Sequence, residues 1–120
     1  MRNLIWQFHI DTNRGYDGPY RKKMAMASSA LVSFYAMKCA VEYEMRCHSN
    51  WYKNGYHGGP AIERFQILEE KYDIYDYILY LDTDILISTE APNIFDSYPD
   101  TVIAGIHMPH PRDMTLLEQG

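Results

Sequence analysis

Hydrophobic and polar positions change period several times along this chain, and each change marks an element. Residues 3–10, Asn-Leu-Ile-Trp-Gln-Phe-His-Ile, are rich in β-formers and predict a mostly buried strand. Residues 11–21 carry Asp11, Asn13, Gly15, Asp17, Gly18 and Pro19, which predicts a loop. Residues 22–40 lack Gly and Pro. Within them Met24, Ala27, Ala30, Leu31, Phe34, Tyr35 and Met37 recur at helical spacing and predict a helix. From Val41 the period shortens to two: Val41, Tyr43, Met45 and Cys47 alternate with Glu42, Glu44 and Arg46, as in a strand with one wet face near a sheet edge. Residues 48–59, with Asn50, Asn54, Gly55, Gly58 and Gly59, predict a second loop. Pro60 suits the first turn of a helix, and Ile62, Phe65, Leu68 and Tyr72 would form its buried stripe. Residues 76–81 predict a third strand, Pro92 to Phe95 a short helical turn, and Thr101 to Ile106 a fourth strand. After Met108 no periodicity is left.

Strands separated by helices imply crossover connections and a parallel sheet, so the expected class is α/β. The 120 residues suffice for one domain with a sizeable core but not for two. We assign residues 1–108 to that domain and 109–120 to a polar tail or a truncated continuation. Apolar residues make up 47% and charged residues 22%, a soluble, globular balance. A formal charge of −5 argues against nucleic-acid binding by phosphate neutralisation. The basic run Arg21-Lys22-Lys23 is short and reads as a solvated loop or helix start. The two cysteines, Cys39 and Cys47, match no zinc or redox spacing and read as free, buried thiols of a reducing compartment. No membrane span is expected, because no stretch approaches the ~20 apolar residues required. Leu4-Ile5-Trp6 is too short and too soon followed by His9 and Asp11 to be a signal peptide, so a cytoplasmic location is expected.

One stretch carries chemistry. In Tyr77-Ile78-Leu79-Tyr80-Leu81-Asp82-Thr83-Asp84-Ile85-Leu86-Ile87, two carboxylates interrupt an apolar run. Asp is depleted in strands, and unpaired buried charge is costly. The pair makes sense where a strand's carboxyl end emerges, which is where open α/β sheets bind ligands. In extended chain, residues i and i+2 point the same way, so both acids could face one hard cation or one sugar-phosphate.

Taken together, Ala61-Ile62-Glu63-Arg64-Phe65, then Tyr77 to Ile87 with its Asp-x-Asp, then Ala91-Pro92-Asn93-Ile94-Phe95-Asp96 resemble the nucleotide-sugar glycosyltransferases of the GT-A fold. Val102-Ile103-Ala104-Gly105 also resembles the family's next core strand. The likeness is specific over about residues 60–106 and architectural over 1–48. It implies a Rossmann-like, mostly parallel sheet flanked by helices, here the N-terminal donor-binding half of the GT-A architecture. It also implies transfer of a hexosyl or related sugar from a UDP- or GDP-sugar to an unidentified sugar or glycan acceptor, with Mn²⁺ or Mg²⁺ as cofactor. Asp84 would bind the metal directly. Asp82 would reach metal and donor, and Arg64 the donor's phosphates or sugar. His9, Asp11 and Thr12, at the end of the first strand, would hold base or ribose. Oxygen ligands suit those cations, and a cation between carboxylates and diphosphate removes their repulsion. Members of the family usually add a metal-binding His and an acceptor site from a C-terminal half. His107 and His110 come early for that role. Turnover by this chain alone is therefore in question, and a homo-oligomer or a partner chain is a further expectation.

Three other readings compete. Asp82 and Asp84 can be turn formers or a helix cap. Haloacid-dehalogenase-type phosphohydrolases also end a strand in Asp-x-Asp. They place it on the first strand with Thr or Val two residues further on, whereas here the pair follows the third and Leu86 takes that position. A non-catalytic module that binds a nucleotide sugar or a protein partner would share the same site. Asp73 and Asp76 read as turn punctuation, and His9 equally suits a satisfied strand-edge histidine. Tyr35, Tyr43, Tyr72 and Tyr80 sit at core spacing, while Trp51 and Tyr52 fall in a loop where they could touch an acceptor or partner.

Overall fold

The computed structural model describes residues 1–10, 18–52 and 60–97. The expected fourth strand over 101–106, the tail, His107 and His110, and the site residues Asp11 and Thr12 lie outside the described residues. The described elements are β1 (Asn3–Phe8), α1 (Gly18–Lys38), β2 (Glu42–Arg46), two 3₁₀ helices (Pro60–Leu68 and Glu70–Tyr72), β3 (Tyr77–Tyr80) and α2 (Ile94–Ser97). The class is α/β, as the alternation of periods implies.

The three strands form a parallel sheet in the order β2-β1-β3. The central strand pairs Leu4 with Glu42 through Phe8 with Arg46 on one side. On the other it pairs Asn3 with Tyr77 through Trp6 with Tyr80. Being central, β1 is buried on both faces, which explains the consecutive apolar residues Leu4, Ile5 and Trp6. Ile5 faces Val32, Tyr35 and Ala36 of α1. Leu4 and Trp6 face Tyr72 from the 3₁₀ segment. The first crossover thus leads from β1 across one face to β2, and the second returns past β1 across the other face to β3. The chain reverses its direction of travel between β1 and β3, a topological switch point.

Three local expectations change. First, α1 begins at Gly18 rather than after residue 21, because Pro19 is tolerated in a first turn whose N–H groups have no intrahelical partner. Its buried face is Ala25, Ser28, Val32, Tyr35 and Ala36, while Met24, Phe34 and Met37 of the expected stripe are exposed. The helix ends at Lys38, and Ala40 just beyond it has a left-handed φ of 55°. The amide of Ala40 donates to Met37 O and that of Val41 to Ala36 O, the two bonds of a Schellman cap formed here without glycine.

Second, the segment from Pro60 winds as 3₁₀ helix, with three residues per turn. That period puts residues 63, 66, 69 and 72 on one face. Glu63 and Gln66 are fully buried and Tyr72 nearly so, whereas Phe65 and Leu68 of the expected stripe are 48% and 74% exposed. Third, the wet face of β2 ends in a buried Arg46. Its guanidinium donates to the Tyr72 hydroxyl at 2.9 Å and lies 3.3 Å from Glu69. Past that strand Cys47 is exposed and Cys39 is half-buried, so both thiols are free but neither is buried.

Candidate functional site

A cavity of about 720 Å³ opens at the switch point. Phe8, His9 and Ile10 line it from the end of β1. Tyr80, Asp82, Thr83 and Asp84 line it from the end of β3. The first turns of α1 contribute Tyr20, Arg21 and Met24, and the first 3₁₀ helix contributes Ala61 and Arg64. His9, Arg64, Asp82 and Asp84, which are far apart in sequence, thus meet in one place.

The acid pair arrives there by a different local route than extended chain would provide. Strand pairing stops after the Leu81 amide, which donates to Trp6 O at 3.1 Å. The chain then turns, with the Ile85 amide 3.3 Å from Asp82 O. Turn former and site residue are therefore compatible roles for Asp82. Both carboxylates are exposed and line the cavity.

Asp82 is steered by its neighbour two residues back. The Tyr80 hydroxyl donates to Asp82 Oδ1 at 2.5 Å. Burial raises the Tyr80 pKa, and the hydrogen bond to Asp82 raises it further, so the phenol stays protonated and keeps donating. Tyr80 itself is held in the sheet, its ring stacked on Phe8 at 6.1 Å and packed beside Trp6 at 5.8 Å. Arg64 is exposed, with its guanidinium 5.8 Å from the centroid of the Phe65 ring. His9 is half-buried. Its backbone N–H donates to Arg46 O, which extends the β1–β2 pairing. Its side-chain Nε2 is buried without a hydrogen-bond partner among the described residues. A buried polar atom left unpaired costs about 1–3 kcal/mol.

Beneath the carboxylate turn lies a second polar layer. Gln7, fully buried in β1, donates from Nε2 to Ser28 Oγ at 3.0 Å and to Asp82 O at 3.2 Å. Ser28, fully buried in α1, donates to Ile85 O at 2.6 Å. The Tyr43 hydroxyl lies 2.8 Å from Gln7 Oε1 and 2.9 Å from Ser29 Oγ.

On the other face Glu63 organises the chain that precedes the 3₁₀ segment. Its carboxylate accepts the backbone N–H groups of Asn50, Trp51 and Tyr52 at 2.7–2.9 Å, with Ser49 Oγ at 2.9 Å and Gln66 Nε2 at 2.5 Å. Burial acts to raise its pKa, but the Tyr52 and Asn50 amides, then Gln66 and the Trp51 amide, outweigh it and hold the group at about 2. Trp51 and Tyr52 are fixed by this clamp and are not part of the cavity lining.

The sequence reading missed Arg21, Tyr80, Gln7, Ser28 and Glu63. Arg21 had a usable signal, since the helix after a first strand starts at the ligand edge of an α/β sheet. Gln7 had another, an amide inside a run that otherwise reads as buried strand.

Among the described residues, no group of three or more His, Cys, Asp and Glu side chains is placed to hold a metal ion, and no helix is long and apolar enough to cross a membrane. No family model, curated protein or solved structure matches the chain.

Proposed function

We propose that this chain is a metal-dependent glycosyltransferase of GT-A type, or the donor-binding half of one, taking a UDP- or GDP-sugar at the β1/β3 switch point with Mn²⁺ or Mg²⁺. The observation that carries this reading is one cavity in which two carboxylates, Asp82 and Asp84, share the lining with Arg21, Arg64 and His9, whose buried Nε2 has no hydrogen-bond partner among the described residues. Cationic and anionic side chains around one space suit a ligand that is itself anionic and metal-bound.

The donor set fits a hard cation. Carboxylate oxygens are ligands for Mg²⁺ and Mn²⁺, which usually keep several waters and take the rest of their shell from phosphate. When bound, the cation supplies charge neutralisation of the departing nucleoside diphosphate. Asp84 is the direct ligand. Asp82 has one oxygen engaged by Tyr80 and offers the other. Arg64 and Arg21 address the phosphate oxygens, where a guanidinium makes charge-assisted bonds. His9 pairs with a hydroxyl or base edge of the nucleoside. The same geometry serves a non-catalytic nucleotide-sugar-binding module, and acceptor-dependent turnover separates the two.

Calorimetric titration of the purified chain with UDP and with GDP, each with and without Mn²⁺, tests the reading. Nucleotide binding is expected to depend on Mn²⁺, to be abolished by Asp84→Ala and to be weakened by Asp82→Ala. Equal binding by the wild type and Asp84→Ala would overturn it.

A further inference from the structure

We propose that Gln7 and Ser28 are positioning residues for the carboxylate turn: together they fix the two backbone carbonyls that bracket Asp82 to Ile85, and so set where the carboxylates stand in the cavity. This inference rests on the nucleotide–metal reading for its consequence but on independent contacts for its geometry.

The turn from Asp82 to Ile85 follows the end of β3 and is closed internally by one long backbone hydrogen bond of 3.3 Å. Such a turn is weakly determined by itself. Both of its end carbonyls are instead held from below, Asp82 O by Gln7 and Ile85 O by Ser28. The holders are fully buried on the central strand and on the inner face of α1, and they are bonded to each other. Tyr43 from β2 adds a contact to the Gln7 amide. β1 and α1 thus hold the backbone of the Asp-bearing segment directly, and β2 supports that hold through the Gln7 amide. A buried Gln and Ser are costly unless satisfied, and satisfying turn carbonyls gives them a role that an apolar pair cannot fill. Groups that hydrogen-bond metal ligands typically change metal affinity about 10–100-fold when altered; Gln7 and Ser28 act one step further out, on the backbone that carries the ligands.

The experiment compares wild type, Ser28→Ala, Gln7→Met and, as a control on the opposite sheet face, Tyr72→Phe. The Tyr72 hydroxyl accepts from Trp6 and Arg46 and donates to Glu44, so its loss disturbs a buried network that makes no hydrogen bond to Asp82 O or Ile85 O. Two quantities are read for each folded variant: the Mn²⁺-dependent affinity for UDP and GDP, and the hydrogen-exchange rate of the Ile85 amide. Ser28→Ala and Gln7→Met are expected to lose about tenfold or more in Mn²⁺-dependent affinity and to exchange Ile85 faster. Tyr72→Phe should stay within about twofold of wild type on both. Ser28→Ala removes only one oxygen and decides the matter if Gln7→Met does not fold. Unchanged Ile85 exchange in Ser28→Ala overturns the positioning role, as does an equal affinity loss in Tyr72→Phe. Faster exchange in a protein whose wild type binds no nucleotide would leave the positioning of the turn standing and overturn the metal–nucleotide reading.

Discussion

At the scale of single residues, the largest departures from the sequence pattern are polar groups that are buried because their partners are fixed. Glu63 is the clearest case, an acid with no exposure and five donors around it. Its pKa is held near 2, below that of an unfolded carboxylate. A depressed pKa means the folded state prefers the ionised form. The stabilisation is therefore complete above the unfolded value of 4.5 and is lost as pH falls through about 2. Glu63→Gln should cost about 2–3 kcal/mol at neutral pH, since it turns a charge-assisted acceptor into one that also presents donors to amides. Urea unfolding at pH 7 and at pH 2 would check this. The gap between wild type and variant should close toward the lower pH, and a gap that stays constant would show that the amides do not recognise the charge.

At the scale of elements, the segment from Pro60 to Tyr72 shows how winding decides which side chains go inside. Wound as an α-helix, Ile62, Phe65, Leu68 and Tyr72 would make a plausible stripe. The 3₁₀ period instead turns Glu63 and Gln66 inward with Tyr72 and leaves Phe65 and Leu68 in solvent. Polar partners at the ends of the segment favour that choice. Gln66 Nε2 donates to His48 O, and Tyr72 O–H ties the segment to Glu44 on β2. Leu68→Lys should accordingly leave stability within about 0.5 kcal/mol of wild type, as exposed substitutions do. Gln66→Leu should cost about 1–3 kcal/mol by leaving His48 O unpaired. Chemical denaturation of the two variants separates the windings, because an α-helical stripe would reverse the order. The same segment delivers Arg64 to the cavity from the position after Glu63, so the clamp on residues 49–52 also anchors the element that carries a site cation.

At the scale of the whole molecule, strand order creates the site. With β1 central and the two crossovers on opposite faces, the ends of β1 and β3 face a cavity lined by described residues of both strands' ends. Side chains from β1, α1, the 3₁₀ segment and the turn after β3 all reach it. A ligand bound there ties together elements that must separate on unfolding. It should therefore raise global stability by about 2.7 kcal/mol at a free concentration of 100 times its Kd. For a domain of this size that corresponds to a Tm increase on the order of 10 °C. The expected thermal shift needs UDP or GDP and Mn²⁺ together. Neither alone should give more than a small fraction of it, and a full shift with nucleotide alone would remove the cation from the site.

The sequence by itself determined the order and kind of most described elements, the α/β class, and the placement of Asp82 and Asp84 just past the end of a strand. It could do so because burial of apolar surface is periodic in the element that buries it, and because two acids closing an apolar run have few stable homes. Only the tertiary structure decided which face of α1 is inside, which winding the segment after Pro60 adopts, and that Gln7, Ser28, Arg21 and Tyr80 belong with the acid pair. Those outcomes depend on partners distant along the chain, Gln7 with Asp82 and Ser28 with Ile85. A buried polar side chain is indistinguishable from a solvated one until the atom that satisfies it has been brought into place.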